Sequence, residues 1–389
     1  MSSASALPRV NTRARPPRSM ALFAVIVLTV FSVIHLTIGW RLVGSSGLTG
    51  APAAVVSGAL FALYLSVPAA MSARVFGDAI PRWVTGLGFR WLGLMFYWFV
   101  LSLAAEPVVR IGASLAPGVP WGAGAAVGVA ALGLGLSAFA LAGARTPPVK
   151  RVEVPVPGLA PALDGLRIAQ LSDVHVGNTI GRDFVAACVE RTNAENVDLV
   201  ALTGDFVDGA PEALRGDVAP LAGLRSRHGS YFVTGNHEYF SGAPAWCQEF
   251  SNLGIRVLRN EHVVLEHEGA RLVVAGIDDP FATVPGHGPD LPRALAGRPT
   301  EAPVILLAHQ PVFAEQAADL GVTLMLSGHT HGGQLWPFSA LVRLVQPIVA
   351  GLVKVGETFI YVSRGTGWWG PPMRLGAPNE ITVLTLRRV

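Results

Sequence analysis

Sulfur and charge are both scarce in this 389-residue chain. Its two cysteines, Cys188 and Cys247, cannot build a disulfide framework or a thiolate metal cage, and their surroundings mark them as packing residues. Charged residues make up 14%, against the roughly 25% of an ordinary soluble domain. With 51% apolar residues and a mean hydropathy of +0.46, that deficit excludes a disordered chain and points to membrane spans. Nor is there a large excess of one sign. The formal net charge is +3, and four of the arginines behind it (Arg9, Arg13, Arg15, Arg18) crowd the first eighteen residues. No basic face is left to follow a phosphate backbone, so no nucleic-acid partner is expected.

Long uncharged runs fill the N-terminal part instead. Ser19–Trp40, Leu42–Ala73 and Ile111–Ala144 contain no Asp, Glu, Lys or Arg, and each can cross a hydrocarbon core of about 30 Å as a helix. Trp91–Ala105 has fifteen uncharged residues and crosses only by borrowing apolar flanks, but its aromatics suit membrane interfaces. Four spans are therefore expected. The first is longer than the roughly 7–15 residues of a signal-peptide core, which favours a retained anchor. Four crossings would put the N-terminal arginines on one side with Arg74, Arg82, Arg90, Arg145, Lys150 and Arg151, leaving Arg41 and Arg110 on the other. That asymmetry predicts a multi-pass protein of the inner (plasma) membrane with both termini in the cytoplasm. His35 is the only ionisable residue expected within a span, and no ion pair is expected there. The domain plan is a basic tail (1–18), a membrane domain (19–145), a Pro-rich linker (146–164) and a soluble α/β domain (165–389).

In the soluble part, five strand-like runs each end on a polar group able to bind metal. Leu166–Leu171 leads into Asp173 and His175, Asp198–Leu202 into Asp205 and Asp208, Tyr231–Val233 into Asn236 and His237, Val304–Ala308 into His309, and Val322–Leu326 into His329 and His331. Carboxyl ends of strands border the ligand crevice in α/β sheets, so these groups can converge at one edge. Carboxylate, amide and imidazole without sulfur suit divalent Mn, Fe, Zn or Co. The donors outnumber the needs of one ion, and Asp205 is placed to bridge two at the spacing of about 3.5–4 Å found in two-metal hydrolases. His228, His262, His267 and His287 fit no such pattern. Asp278-Asp279-Pro280 reads as a turn. Gly204 and Gly235 would leave room for an approaching phosphate. Arg364 and Arg374 are candidate contacts for a substrate phosphate or a lipid headgroup, with a structural role as the alternative.

Asp173-Val-His175, Gly204-Asp205-Phe-Val-Asp208, Gly235-Asn236-His237-Glu238, His309 and Gly328-His329-Thr-His331 together resemble, in order, the five motif blocks of the calcineurin-like metallophosphoesterases. Gly332-Gly333-Gln334-Leu335 and the tail from Ser363 to Thr382 resemble the membrane-associated bacterial branch, although Asn379 stands where proline is expected. The resemblance implies a four-layer sandwich, two mixed β-sheets flanked by helices, preceded here by transmembrane helices. It also implies one metal ion on Asp173, His175, Asp205 and His331, and a second on Asp205, Asn236, His309 and His329. In that scheme a hydroxide bridging the ions attacks phosphorus, His237 protonates the leaving group, and Asp208 orients His237.

The expected function is that of a membrane-anchored, dinuclear-metal phosphoester hydrolase acting on a lipid-linked or nucleotide phosphodiester or monoester. Its expected partners are membrane lipids and a phosphorylated small-molecule or lipid substrate. A membrane sensor or scaffold with a structural metal site is the alternative from another class, and a nuclease ranks below it.

Overall fold

In the computed structural model, which describes residues 18–76, 80–282, 288–346 and 348–389, the uncharged runs resolve into four helices. These are α1 (Arg18–Gly39, continued by a π-turn to Gly44), α2 (Gly50–Phe76), α3 (Arg82–Leu115) and α4 (Trp121–Gly143). All four are long and apolar enough to cross a membrane. The uncertain stretch Trp91–Ala105 is the middle of α3, and Ile111–Ala144 is not one span: its first residues end α3 and the rest form α4. One expectation fails. Arg41 is fully buried and places its guanidinium 2.5 Å from Glu106 Oε2, and Glu106 also accepts from Arg110 Nε at 2.6 Å. All three lie inside apolar helices, so an ion pair does occur within the span region. A charge removed from water needs its counter-charge beside it, and α1 and α3 supply one each.

The chain divides into two compact units. One comprises the described residues up to Tyr64 with Met95–Gly133, and the other Leu65–Leu94 with Leu134–Val389. The second contains two six-stranded sheets. Its strands are β1 (Val149–Val156), β2 (Arg167–Leu171), β3 (Leu199–Leu202), β4 (Ser230–Phe232), β5 (Arg256–Val257), β6 (Glu261–His267), β7 (Ala270–Gly276), β8 (Val304–Leu307), β9 (Leu324–Ser327), β10 (Gly351–Val355), β11 (Thr358–Val362) and β12 (Ile381–Arg388). Their orders are β1-β12-β2-β3-β4-β5 and β10-β11-β9-β8-β7-β6. Each sheet is mixed: β12 runs antiparallel to β2, and β6 to β7, beside parallel ladders.

Alternation along the strands sorts the layers. Ile168, Leu199, Ala201, Ile305, Leu307, Leu324 and Leu326 point between the sheets. Their neighbours Leu171, Val200 and Leu202 face α5 (Arg182–Ala194), α6 (Pro211–Val218) and α8 (Ala243–Asn252), the last following a short α7 (Asn236–Ser241). Val304, Leu306 and Met325 face α9 (Leu291–Leu295) and α10 (Ala314–Asp319) on the opposite side. Strands buried on both faces read as unbroken apolar runs, which is why the central ones were visible in the sequence. Cys188 packs in the α5 layer as expected.

The Pro-rich linker is a correction. Val149–Val156 is a strand in register with β12, from Val149↔Ile381 to Val156↔Arg388, and Val154, Leu159 and Leu163 are buried between the sheets. Pro155 is tolerated because β1 is an edge strand with only one side to pair. The sheets thus begin at Val149, inside the segment expected to be a linker. The basic tail through residue 17 and His287 lie outside the described residues.

Candidate active site

The strand ends converge as the pattern of residues predicts. Among the described residues nine non-glycine residues have positive φ, and five of them are Asp173 (53°), His175 (55°), Asp205 (56°), His329 (71°) and His331 (51°). L-residues avoid this region, so such clustering marks a site that surrounding bonds hold in shape. Asp173 N–H donates to Gly204 O at 3.0 Å and His175 N–H to Asp205 O at 3.1 Å, tying the ends of β2 and β3 together. His329 N–H donates to the Asp173 carboxylate at 2.9 Å, tying in β9.

Three groups of donor atoms close up within this rim: Asp173, His175 and His331; Asp205, His309 and His329; and His175, Asp208 and His237. The Nε2 atoms of His175 and His331 are 2.9 Å apart, with Asp173 Oδ1 3.5 Å from the latter. Asn236 Oδ1 is 3.1 Å from His329 Nδ1. His309 tests whether a cation fits. Its Nδ1–H donates to Thr203 O at 2.7 Å, which leaves Nε2 to face the site. That nitrogen is buried without a hydrogen-bond partner and faces Asp205 Oδ2 at 3.1 Å. A nitrogen and a carboxylate oxygen that close share a positive charge, a proton in the metal-free fold or a metal ion in its place, and the donor set fits a divalent ion.

Titration behaviour agrees. Burial, helped by the charge of His309, lowers His329 to about 4, and burial with His175 and Arg374 nearby holds His331 well below the usual range. Both imidazoles are thus neutral near pH 7, the form that can donate a lone pair. Burial opposes charge on His309 too, but the carboxylates of Asp205, Asp173 and Asp279 prevail and raise it well above normal. Burial raises Asp173, with Asp205 adding to the effect.

Asp208 serves two rings. Its Oδ1 lies 2.5 Å from His237 Nδ1 and 3.3 Å from His175 Nδ1. Burial alone would raise its carboxyl, but His175 and His237 hold it well below the usual range. His237 lies in the first turn of α7, its N–H donates to Asp205 Oδ1 at 2.8 Å, and its Nε2 is 4.0 Å from Asp205 Oδ2. Glu238 was part of the motif, but no role was read for it. Its buried carboxylate accepts the N–H groups of Asp205 (2.9 Å), Phe206 (2.7 Å) and Gly235 (2.7 Å), clamping the β3 and β4 loops together. Only a fold that buries it next to those amides reveals that use.

Other expectations change. A Cβ on Gly235 would meet Asp205 Oδ1, and one on Gly204 would lie 2.6 Å from Gly235 N and 2.8 Å from His309 Nδ1. The glycines thus make room for the ligand residues themselves rather than for a phosphate. Arg374 is buried and spends its guanidinium on the carbonyls of His331, Arg364, Ala377 and Gly367, and on His331 Nδ1 at 3.1 Å. It braces the loop that carries His329 and His331, the structural role given above as its alternative. The Arg364 side chain keeps 30% exposure while pairing with Glu380 at 3.1 Å. Asn379 Nδ2 donates to Arg145 O and Thr366 O, a bridge that proline could not make. The turn at 278–280 is present: Asp278 pairs with Arg259, and buried Asp279 accepts from Phe281 N–H and Gln310. His228 and His267 contact each other, and His262 contacts Ala294 O. An aromatic rim went unread in the sequence: Phe240, Phe281 and Trp369 are each about half exposed, with Phe240 and Trp369 at 5.5 and 6.1 Å from the His237 ring.

Comparison with known proteins agrees with this geometry. The sequence profile of the calcineurin-like phosphoesterases matches residues 166–333. A "transmembrane protein with metallophosphoesterase domain" from Danio rerio is 39% identical over 338 residues, covering 80% of this chain and 75% of that one. An alignment of that extent includes part of the membrane half. A protein of the same name from Bos taurus is 44% identical over 266 residues, 65% of this chain and 60% of its own. An uncharacterized metallophosphoesterase of Helicobacter pylori is 42% identical over 224 residues, 57% of this chain and 60% of its own. Motif order, the two-sheet sandwich and these likenesses establish that the chain belongs to the calcineurin-like metallophosphoesterases, a family of phosphoric ester hydrolases, in a form that carries membrane helices.

Proposed function

We propose that this chain hydrolyses phosphoesters at a two-cation centre on the cytoplasmic face of the membrane that anchors it. Asp173, His175, Asp205 and His331 would hold one ion, and Asp205, Asn236, His309 and His329 the other, with Mn, Fe, Zn and Co suited to the donor set. The observation that carries this reading is the buried His309 Nε2 facing the Asp205 carboxylate inside a ring of further donors. When bound, such ions supply Lewis acidity and a water made nucleophilic at neutral pH.

The chain supplies the proton. Asp208 accepts from His237 Nδ1–H, which fixes the ring and turns Nε2 toward the same space as Asp205 Oδ2. In its protonated form His237 delivers that proton to the departing oxygen, and the Asp208 carboxylate raises its affinity for the next one. Phe240, Phe281 and Trp369 line the approach with apolar surface, and Arg364 offers an anion contact. These features suit a phosphate joined to an apolar or ring-bearing group, a lipid-linked or nucleotide ester. The arginine distribution favours the cytoplasmic side.

The test uses detergent-purified full-length protein stripped with a chelator and reloaded with Mn²⁺. Activity should vanish on stripping and return on reloading. Failure of the reloaded protein on phosphomonoesters, diesters and pyrophosphates alike overturns the reading.

A further inference from the structure

One helix has no place in the core. α11 (Phe338–Val345) contains no buried residue, and Leu341, Leu344 and Val345 are 57, 79 and 76% exposed on one side of it. Trp336, just before it, is 61% exposed. Spacings of three and four residues put the apolar side chains of α11 on one face, with Ser339 and Arg343 off it. Water does not favour so much apolar surface in one short element.

Its attachment says what covers it. The helix follows the His329–His331 ligand loop directly and packs on it: a Cβ on Gly333 would overlap the backbone of Ser339 at 2.3 Å. Gln334 Nε2 donates to Trp369 O and Pro371 O, and Leu335 bridges to Leu375. The segment those groups hold rests in turn on two of the apolar helices within the same compact unit, near the C-terminal end of α4 and eleven residues into α3. Arg374 N–H donates to Ala140 O of α4 at 2.8 Å, and a Cβ on Gly93 of α3 would meet Met373 Sδ at 2.3 Å. The exposed face is therefore linked, through one loop, to the C-terminal end of α4, the apolar helix from which the chain enters the hydrolase domain.

We propose that α11 and Trp336 lie in the headgroup–acyl boundary of the leaflet that the chain spans, and that this seating presents the ligand loop to phosphoesters carried by lipids. An amphipathic helix with Leu and Val below and Trp at its margin is suited to that depth, with Arg343 reaching back toward phosphates. The seating stands on the geometry alone; the lipid substrate rests on the phosphoesterase reading above.

The label test reads the seating. Full-length L344C protein, with Cys247→Ser and the buried Cys188 retained, carries a nitroxide in nanodiscs of phosphatidylcholine and phosphatidylglycerol. Greater relaxation by oxygen than by a water-soluble nickel chelate is expected. Greater nickel access places α11 in water, and exclusion of both reagents places it against a protein or a second copy; either result overturns the seating. For the substrate, L341E/L344E should cleave bis(p-nitrophenyl) phosphate as the parent does, while its cleavage of phosphatidic acid or phosphatidylglycerol in the same discs falls by about tenfold or more. A parent that cleaves the soluble ester and neither lipid overturns the lipid assignment. A parent that cleaves none defeats the phosphoesterase reading itself, and the label still decides the seating.

Discussion

At the scale of single residues the site depends on which atoms carry protons. His237→Asn should keep metal content and melting temperature, because the ring lies at the edge of the ligand set. It should lower turnover of alkyl esters by about 10²–10⁴-fold and of activated nitrophenyl esters much less, since a good leaving group needs no acid. Steady-state rates on the two ester types check this, and equal losses on both would assign the proton to another group. His309 gives a pH prediction. The carboxylates of Asp205, Asp173 and Asp279 raise its pKa well above normal in the metal-free fold and so favour its charged form, and a cation that takes its lone pair should displace a proton. His329, lowered to about 4, has none to release. Titration calorimetry in buffers of different ionisation enthalpy should show net proton release in the parent and a smaller release in His309→Gln. The sign for stability follows. A raised histidine stabilises the fold fully below 6.5 and loses that contribution as pH rises through its folded value, so the metal-free parent should lose more melting temperature above pH 6.5 than H309Q does.

At the scale of elements, legibility depended on how local each signal was. β3, β8 and β9 announced themselves as apolar runs and β2 as a mixed one, and the groups that follow them could be placed at one edge because a strand fixes where its carboxyl end points. β1 did not. Pro155 and the prolines that flank the strand break any local pattern, and its identity comes from β12, a partner far downstream. If the strand is as described, Val154→Asp places an unpaired charge between the sheets and should cost about 3–5 kcal/mol, read by thermal or chemical denaturation. A linker would tolerate the change without effect. The turn after β9 is equally constrained: a Cβ on Gly328 would meet both Ser172 Oγ and Asp173 Oδ2. Gly328→Ala should therefore lower stability by about 1–3 kcal/mol and displace Asp173. Elemental analysis after dialysis should then find less metal than in the parent.

At the scale of the whole molecule, four apolar helices precede the hydrolase domain, and an even number of crossings returns the chain to the side on which it started. A C-terminal green fluorescent protein fusion should fluoresce, and a C-terminal alkaline phosphatase fusion should stay inactive. The reverse pair of results would put the active site outside. The sequence by itself determined that long apolar stretches precede an α/β domain, that Asp, Asn and His side chains follow its strand ends, and the family, because hydropathy, side-chain chemistry and motif order are written locally. Tertiary structure alone decided that the Pro-rich segment holds a strand, that Arg41 meets Glu106, that Arg374 is buried against the His329–His331 loop, and that α11 contributes nothing to the core. Each of those outcomes is a matter of pairing or burial between residues distant in the chain, and no local pattern carries that information.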